Sequence, residues 1–256
     1  MMHVLVIAGL DPSGGAGILS DVTVARAHGV RPVGVITATT VQDTTGVRAV
    51  HPVGAEVVGD QLAALCSDVE LGAVKIGMLA DEPTAMAVAG ALAQTAAPVV
   101  WDPVLSPTRG GVALYGGDPA VALAALAPHL ALLTPNAGEA AALAGIPVAS
   151  ASDMARAGAI LAERTGAAVL VKGGHAATEG ADDVLVTAAG TEHWFRAPRH
   201  PGGDAVHGTG CALATAIACG LAGGADLEAA IGAAKAWIRE RMVMAEKPGR
   251  GAAAIV

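Results

Sequence analysis

The sequence predicts an α/β fold: a mostly parallel central sheet with helices on both faces, built as one domain over residues 1–256. Three observations carry that expectation. Short apolar runs alternate with helix-length segments along the chain, the pattern of strands joined by helical crossovers. Most of these runs are apolar throughout rather than alternating, as strands covered on both faces are. Asp11, Gln42, Asp102, Asn136 and Lys172 stand where such runs end, and folds of this kind bind ligands beyond the carboxyl ends of their strands.

Taken in order, residues 4–8 read as a buried strand bounded by Gly9. The segment Asp11-Pro12-Ser13-Gly14-Gly15-Ala16-Gly17 leads into a helix over about 18–28. A second strand at 33–37 ends in a polar string, 39–45. A helix over 55–66 and a strand at 74–76 follow, with Gly77-Met78 at the strand's end. Residues 83–94 form a helix with proline in its first turn, and the strand at 99–101 stops at Asp102-Pro103. The second half repeats the rhythm: a helix at 119–127, a strand at 130–133, a helix opened by Asn136, a helix at 152–164 and a strand at 168–171. Residues 184–186 and 193–195, with a turn at Gly190, read as a strand pair that gives the sheet an antiparallel edge. An apolar helix after Gly210 and a last helix over about 227–244 complete the chain.

Composition excludes several classes. The formal net charge is -8, with only 15 Lys and Arg, which argues against a general nucleic-acid binder. Any anion site must then rely on backbone N–H groups. The 3 cysteines, Cys66, Cys211 and Cys219, are scattered and odd in number, so neither a disulfide framework nor a cysteine zinc site is expected. The apolar run at 3–10 lacks a basic flank and is too short for a secretory leader. The uncharged stretch 208–225 is rich in Gly, Ala and Thr and reads as a buried helix rather than a membrane span. A cytoplasmic location is the expectation.

The stretch His207-Gly208-Thr209-Gly210-Cys211 delivers the chain into that apolar helix. A helix start leaves backbone N–H groups unpaired at the positive end of the macrodipole, and glycines let an anion approach them. A tight turn with glycines for sterics alone reads equally well. There is no G-x-x-x-x-G-K-[ST] phosphate loop, and Gly15-Ala16-Gly17 is followed by Ser20 where a dinucleotide fingerprint needs its third glycine.

Six stretches, in order and spanning nearly the whole chain, resemble the hydroxymethylpyrimidine/phosphomethylpyrimidine kinase family of thiamine biosynthesis, a branch of the ribokinase-like kinases. They are Ile7 to Ile18; Lys75-Ile76-Gly77-Met78-Leu79; Asp102-Pro103-Val104; Thr134-Pro135-Asn136 with Glu139-Ala140; Val171-Lys172-Gly173-Gly174-His175; and His207 to Cys211. The resemblance implies a ribokinase-like fold, ATP and Mg²⁺, phosphorylation of a pyrimidine hydroxymethyl group in two successive steps, and a homodimer. The chain departs from the family pattern at Val206 and Ala212, where threonine is usual, at Asp43, and in lacking the usual C-terminal tail motif.

Each candidate residue has a bland reading beside the functional one. Lys172 directly follows a buried strand; it is a strand-end lysine reaching solvent or a point charge on the transferring phosphate. Asn136 and Glu139 have the spacing of a capping box, and the resemblance places them near Mg²⁺ and the phosphates. Asp102 before Pro103 is a turn former or a carboxylate for Mg²⁺. The Gln42 amide offers a donor and an acceptor, the complement of an aminopyrimidine edge. The resemblance adds Gly9, Asp11 and Ala16 to the substrate side, and Met78 and Val104 as apolar walls for the ring. Gly208, Thr209 and Gly210 form the anion hole. Asp21, on the first helix, is solvent-exposed by default, and the resemblance brings it near the substrate hydroxyl. Cys211 takes the place of the proton-accepting base, where a helix N-terminus favours the thiolate; Cys219 is the contrasting core cysteine. Two other functions compete: pyridoxal kinase, whose substrate is also a flat ring with a hydroxymethyl group, and a non-catalytic ligand-binding module.

Overall fold

A computed structural model of the protein describes residues 2–107, 111–174 and 180–255. His175 of the fifth stretch lies outside the described residues.

Strand β1 (His3–Leu10) sends Leu5 and Ile7 into one core and Val4, Val6 and Ala8 into another. This two-sided burial is why its sequence shows no polar alternation. Helix α1 (Gly17–Ala27) follows, then the hairpin of β2 (Arg31–Asp43) and β3 (Gly46–Pro52), helix α2 (Ala55–Asp68) and β4 (Leu71–Ile76). Short β5 (Ala80–Asp81) runs into α3 (Glu82–Leu92), where Asp81 caps the helix by accepting from the Thr84 N–H and proline occupies the first turn. Next come β6 (Val99–Trp101), β7 (Tyr115–Gly116), α4 (Pro119–Leu126), β8 (Leu130–Leu133), α5 (Ala137–Ala144), α6 (Ala151–Thr165) and β9 (Ala168–Val171). The antiparallel pair β10 (Asp183–Val186) and β11 (Glu192–Phe195) leads to β12 (Val206–His207), α7 (Thr209–Ala222), α8 (Leu227–Val243) and β13 (Ala253–Ala254).

One nine-stranded sheet, ordered β11-β10-β9-β8-β6-β4-β1-β2-β3, organises these elements. The six strands from β9 to β2 run parallel; β3 and β10 run against them, and β11 pairs antiparallel with β10. Helices α2 to α6 bury one face and α1, α7 and α8 the other. Small residues set the second layer's spacing: a β-carbon on Gly220 of α7 would stand 3.0 Å from that of Ala230 in α8. The alanine that dominates the composition thus becomes close helix contact. No helix among the described residues is long and apolar enough to cross a membrane, and the uncharged stretch forms the buried α7.

Three features differ from the sequence reading. The strand taken to stop at Gly9 continues to Leu10. The polar string at 39–45 is mostly the end of β2, which turns at Thr44 and Thr45 and returns as β3. This is an edge hairpin, so β-branched threonines serve a half-exposed strand as well as a loop. The third is the pairing of β12 with β13, a contact between residues far apart in the chain. Through it the C-terminal segment packs directly behind His207.

Candidate active site

The parallel strands deliver their carboxyl ends to one edge of the sheet, and a cleft of about 280 Å³ opens there. Every site residue named from the sequence lines it except Asp21: Gly9, Asp11, Ala16, Gln42, Met78, Asp102, Val104, Asn136, Glu139, Lys172, Gly208, Thr209, Gly210 and Cys211.

At the centre stands an ion pair. Lys172, one residue past β9, places Nζ 2.5 Å from Oδ1 of Asp102, one residue past β6. The Thr134 hydroxyl also donates to that oxygen, at 3.3 Å. Burial alone would strip the Lys172 proton, but Asp102 and then Glu139 more than reverse this, so the ammonium stays charged. It is therefore a fixed cation at the strand ends, not a lysine reaching for solvent.

Glu139 closes a capping box with Asn136: its carboxylate accepts from the Asn136 N–H at 2.8 Å, and the Asn136 side chain accepts from the Glu139 N–H at 2.9 Å. The capping reading is thus correct, and it coexists with a place on the cleft wall. Burial pushes the Glu139 carboxyl up to about 7; Lys172 pulls it down and Asp102 pushes it further up. Asp102 and Glu139 are two carboxylates facing one lysine. That imbalance fits a divalent cation, and Mg²⁺ is held in such sites by one or two carboxylates together with phosphate oxygens. Asp102 meets Lys172 through Oδ1.

The ligand-free protein should show the Glu139 charge in its stability. The folded-state pKa lies above the ordinary value of 4.5, so the folded form holds the proton more tightly. The stabilisation is complete below pH 4.5 and is lost as pH rises through about 7, a change on the order of 1–3 kcal/mol. Thermal melts from pH 4.5 to 8 should show this fall, and Glu139→Gln should flatten it. An unchanged pH slope in the variant would place the titrating group elsewhere.

The stretch expected to form the anion hole lies beside Lys172. Gly208 has φ 79, and a β-carbon there would stand 1.8 Å from the Gly15 carbonyl oxygen, so only glycine fits. No side chain caps α7, which leaves the first-turn N–H groups without a capping acceptor beside the cleft. A β-carbon on Gly210 would stand 3.1 Å from Lys172 Nζ; its absence keeps helix start and cation side by side.

Two sequence expectations are corrected here. Asp21 is neither exposed nor in the cleft: its side chain is 0% exposed, with Oδ2 2.6 Å from Lys75 Nζ and Oδ1 accepting from Thr215 at 2.7 Å. Helix α1 turns Asp21 inward to meet Lys75, which stands one residue before the end of β4. The second concerns Cys211, where a stabilised thiolate was expected. Burial pushes its thiol up to about 11; Lys75 opposes this, but Asp102 and Asp21 add to it. Burial is thus the main reason that the thiol keeps its proton, despite the cation and the helix start beside it. Cys219 is the core cysteine anticipated, buried and pushed up to about 12 by that burial.

The substrate side is built from β1 and β2. Asp11 accepts from the Ser13 N–H and hydroxyl and from the Ala16 N–H, at 2.8, 2.7 and 3.1 Å. Burial opposes its charge, but the hydrogen bonds from His207 and Ser13 hold it below the usual carboxylate range. Gly9 makes room for Met78, whose sulfur would stand 2.9 Å from a β-carbon there. The Thr37 hydroxyl fixes the Met78 carbonyl at 2.6 Å.

Sequence reasoning gave no role to Lys75, Thr40 or His207 as an individual residue. The signal for Lys75 was present, since a lysine inside an apolar strand demands a buried partner. It also missed the cleft's far wall, where Val206, Leu213, Ile238 and Met242 form an apolar lining.

A cleft with a fixed cation beside a helix start that no side chain caps, and with Gln42, Met78 and Val104 also on its wall, has the groups to hold phosphates next to a small acceptor. That is the arrangement of a phosphotransferase, here on a ribokinase-like fold. The chain belongs to the phosphomethylpyrimidine kinase family, whose model it matches over residues 11–255. It is 42% identical over 252 residues to the hydroxymethylpyrimidine/phosphomethylpyrimidine kinase of Rhizobium meliloti, covering 96% of this chain and 94% of the relative. Among solved structures, the ADP complex of Bacillus subtilis pyridoxal kinase superposes with a TM-score of 0.89 at 28% identity, covering 99% of this chain and 96% of that one. Phosphomethylpyrimidine kinase from Clostridium difficile superposes with a TM-score of 0.80 at 32% identity, covering 94% and 100%.

Proposed function

We propose that this enzyme transfers the γ-phosphoryl group of ATP to the hydroxymethyl oxygen of 4-amino-5-hydroxymethyl-2-methylpyrimidine, and then phosphorylates the resulting monophosphate, in thiamine biosynthesis. The observation that carries this is the joining, in one cleft, of the Lys172 and Gly208–Gly210 phosphate site to the Gln42, Met78 and Val104 ring site. Phosphoryl transfer asks mainly for positioning and charge stabilisation. Lys172 and the N–H groups of Thr209, Gly210 and Cys211 receive the charge on the moving phosphoryl group. The acceptor oxygen attacks phosphorus, the bond to the β-phosphate oxygen breaks, and the hydroxyl proton leaves past Cys211. The apolar wall of Val206, Leu213, Ile238 and Met242 takes the adenine. Gln42 reads the pyrimidine edge, with Asp11, Gly9 and Ala16 beside it. Glu139 and Asp102 would hold Mg²⁺, which would supply charge neutralisation on the phosphates. The working form is a homodimer in the cytoplasm.

Pyridoxal is the second reading, because the B. subtilis structure that superposes so well is a pyridoxal kinase. Its ring also carries a hydroxymethyl group. The deciding assay follows ADP formation with each acceptor alone and counts phosphates on the product by mass. Two phosphates on the pyrimidine, and turnover at least tenfold faster than with pyridoxal, are expected. Turnover with pyridoxal alone would transfer the site to that reading.

A further inference from the structure

His207 Nε2 stands 3.1 Å from Asp11 Oδ2 and 3.3 Å from Gln42 Nε2. One ring nitrogen cannot both give a hydrogen to Asp11 and take one from Gln42. Asp11 already accepts from Ser13 and Ala16, and its carboxyl stays ionised, so it takes the hydrogen. With the amide nitrogen on the His207 side, N–H would oppose N–H. With the oxygen there, the contacts agree. With the amide so turned, Gln42 Oε1 shares the His207 N–H, and Nε2 takes the place beside the Thr40 hydroxyl, where Oε1 stands at 3.2 Å, and donates to that oxygen. The Thr40 hydroxyl hydrogen goes to the Leu10 carbonyl at 2.9 Å.

Gly15 passes close beside the ring, since a β-carbon there would stand 2.9 Å from His207 Cδ2, and β13 pairs with the His207 backbone.

We infer that Asp11, His207 and Thr40 lock the Gln42 amide in one sense, so that the cleft accepts an aminopyrimidine edge and rejects the corresponding oxo edge. In this sense the amide keeps one N–H and one carbonyl lone pair for a ligand. An aminopyrimidine presents a ring-nitrogen acceptor beside an exocyclic N–H donor. Its 4-oxo counterpart presents a ring N–H donor beside a carbonyl acceptor, the same pair in reverse order. A freely turning amide would serve both; a locked amide serves one and leaves buried polar groups unpaired against the other, which is what makes rejection strong. His207 and Thr40 are positioning residues here, acting through Gln42. The inference rests on the reading that Gln42 contacts the ring.

The test compares kcat/KM for 4-amino-5-hydroxymethyl-2-methylpyrimidine with that for its 4-oxo counterpart, using the full chain. The parent should favour the amino compound by about a hundredfold or more. His207→Phe and Thr40→Val should each shrink that ratio at least tenfold, with KM for ATP held. A merely structural role would lower both substrates together and leave the ratio intact, which overturns the lock. Gln42→Leu separates the two levels. A ratio untouched by Gln42→Leu defeats the ring-reading role itself, and the lock with it. A ratio lost in Gln42→Leu but kept in both other variants defeats only the lock. A ¹⁵N histidine spectrum of the parent gives a check independent of refolding by the variants. His207 must carry hydrogen on Nε2, and a bare Nε2 overturns the inference.

Discussion

Lys172→Ala should lower kcat by about a hundred- to a thousandfold, the range seen when one preorganised donor to a developing charge is removed. KM for ATP should rise as well, because the same cation meets the phosphates before transfer. KM for the pyrimidine should stay where it is, since Gln42 and Met78 are untouched. The variant carries a second consequence that must be separated from the first. Asp102 is almost wholly buried, and losing Lys172 leaves its carboxylate without a counter-ion. Breaking a buried pair from one side destabilises by about 3–5 kcal/mol, so Tm should fall too. Adding Asp102→Asn to Lys172→Ala removes the stranded charge. The double variant should recover much of the Tm and little of the kcat. A kcat that returns with Tm would mean that the lysine only holds Asp102, and that the phosphates are met by the anion hole alone.

The same ion pair shows what could be read in the chain beforehand. Lys172 and Asp102 were legible because each directly follows a run of apolar residues, and a charged residue there sits at a strand's carboxyl end in any parallel sheet. That they meet at 2.5 Å was not legible, because β9 and β6 come together only through the order of strands in the sheet. Asp21 failed for a related reason. Nothing around it in α1 marks it as buried; its surroundings are set by Lys75, 54 residues away on β4. The edge hairpin was missed because threonine suits an exposed strand and a loop alike. His207 was visible only as the first letter of a glycine motif. Its partners Gln42 and Asp11 lie 165 and 196 residues away, so its chemistry exists only in the folded chain. Local pattern gave the strand ends and the helix start, and pairing across the sheet decided which of those groups act on one another.

Cys211 is where that distinction has the sharpest kinetic consequence. Its position at the start of α7 suggested a thiolate, but its surroundings hold the thiol at about 11. If Cys211 accepts the substrate's proton as a thiolate, only the small deprotonated fraction works near neutral pH. The kcat/KM of the parent should then climb close to tenfold per pH unit from about 7 to 10, because this profile reports the free enzyme's essential base. Cys211→Ala should lower kcat by about a hundredfold or more, the contribution typical of a positioned base, and should abolish the climb. Cys211→Asp offers a carboxylate that is already charged at neutral pH. It should retain activity and give a flat profile over the same range. Alkylation of the parent by a thiol reagent should follow the same rising curve and slow when the pyrimidine is bound, whereas Cys219, buried in the core, should resist it. A different result has a definite meaning. If Cys211→Ala keeps near-parent kcat, the proton goes to the phosphates or to water, as a loose transition state permits. Asp21 cannot take over the role, because Lys75 and Thr215 already occupy it outside the cleft. The small side chain at 211 would then serve only to leave the acceptor hydroxyl room against the helix terminus.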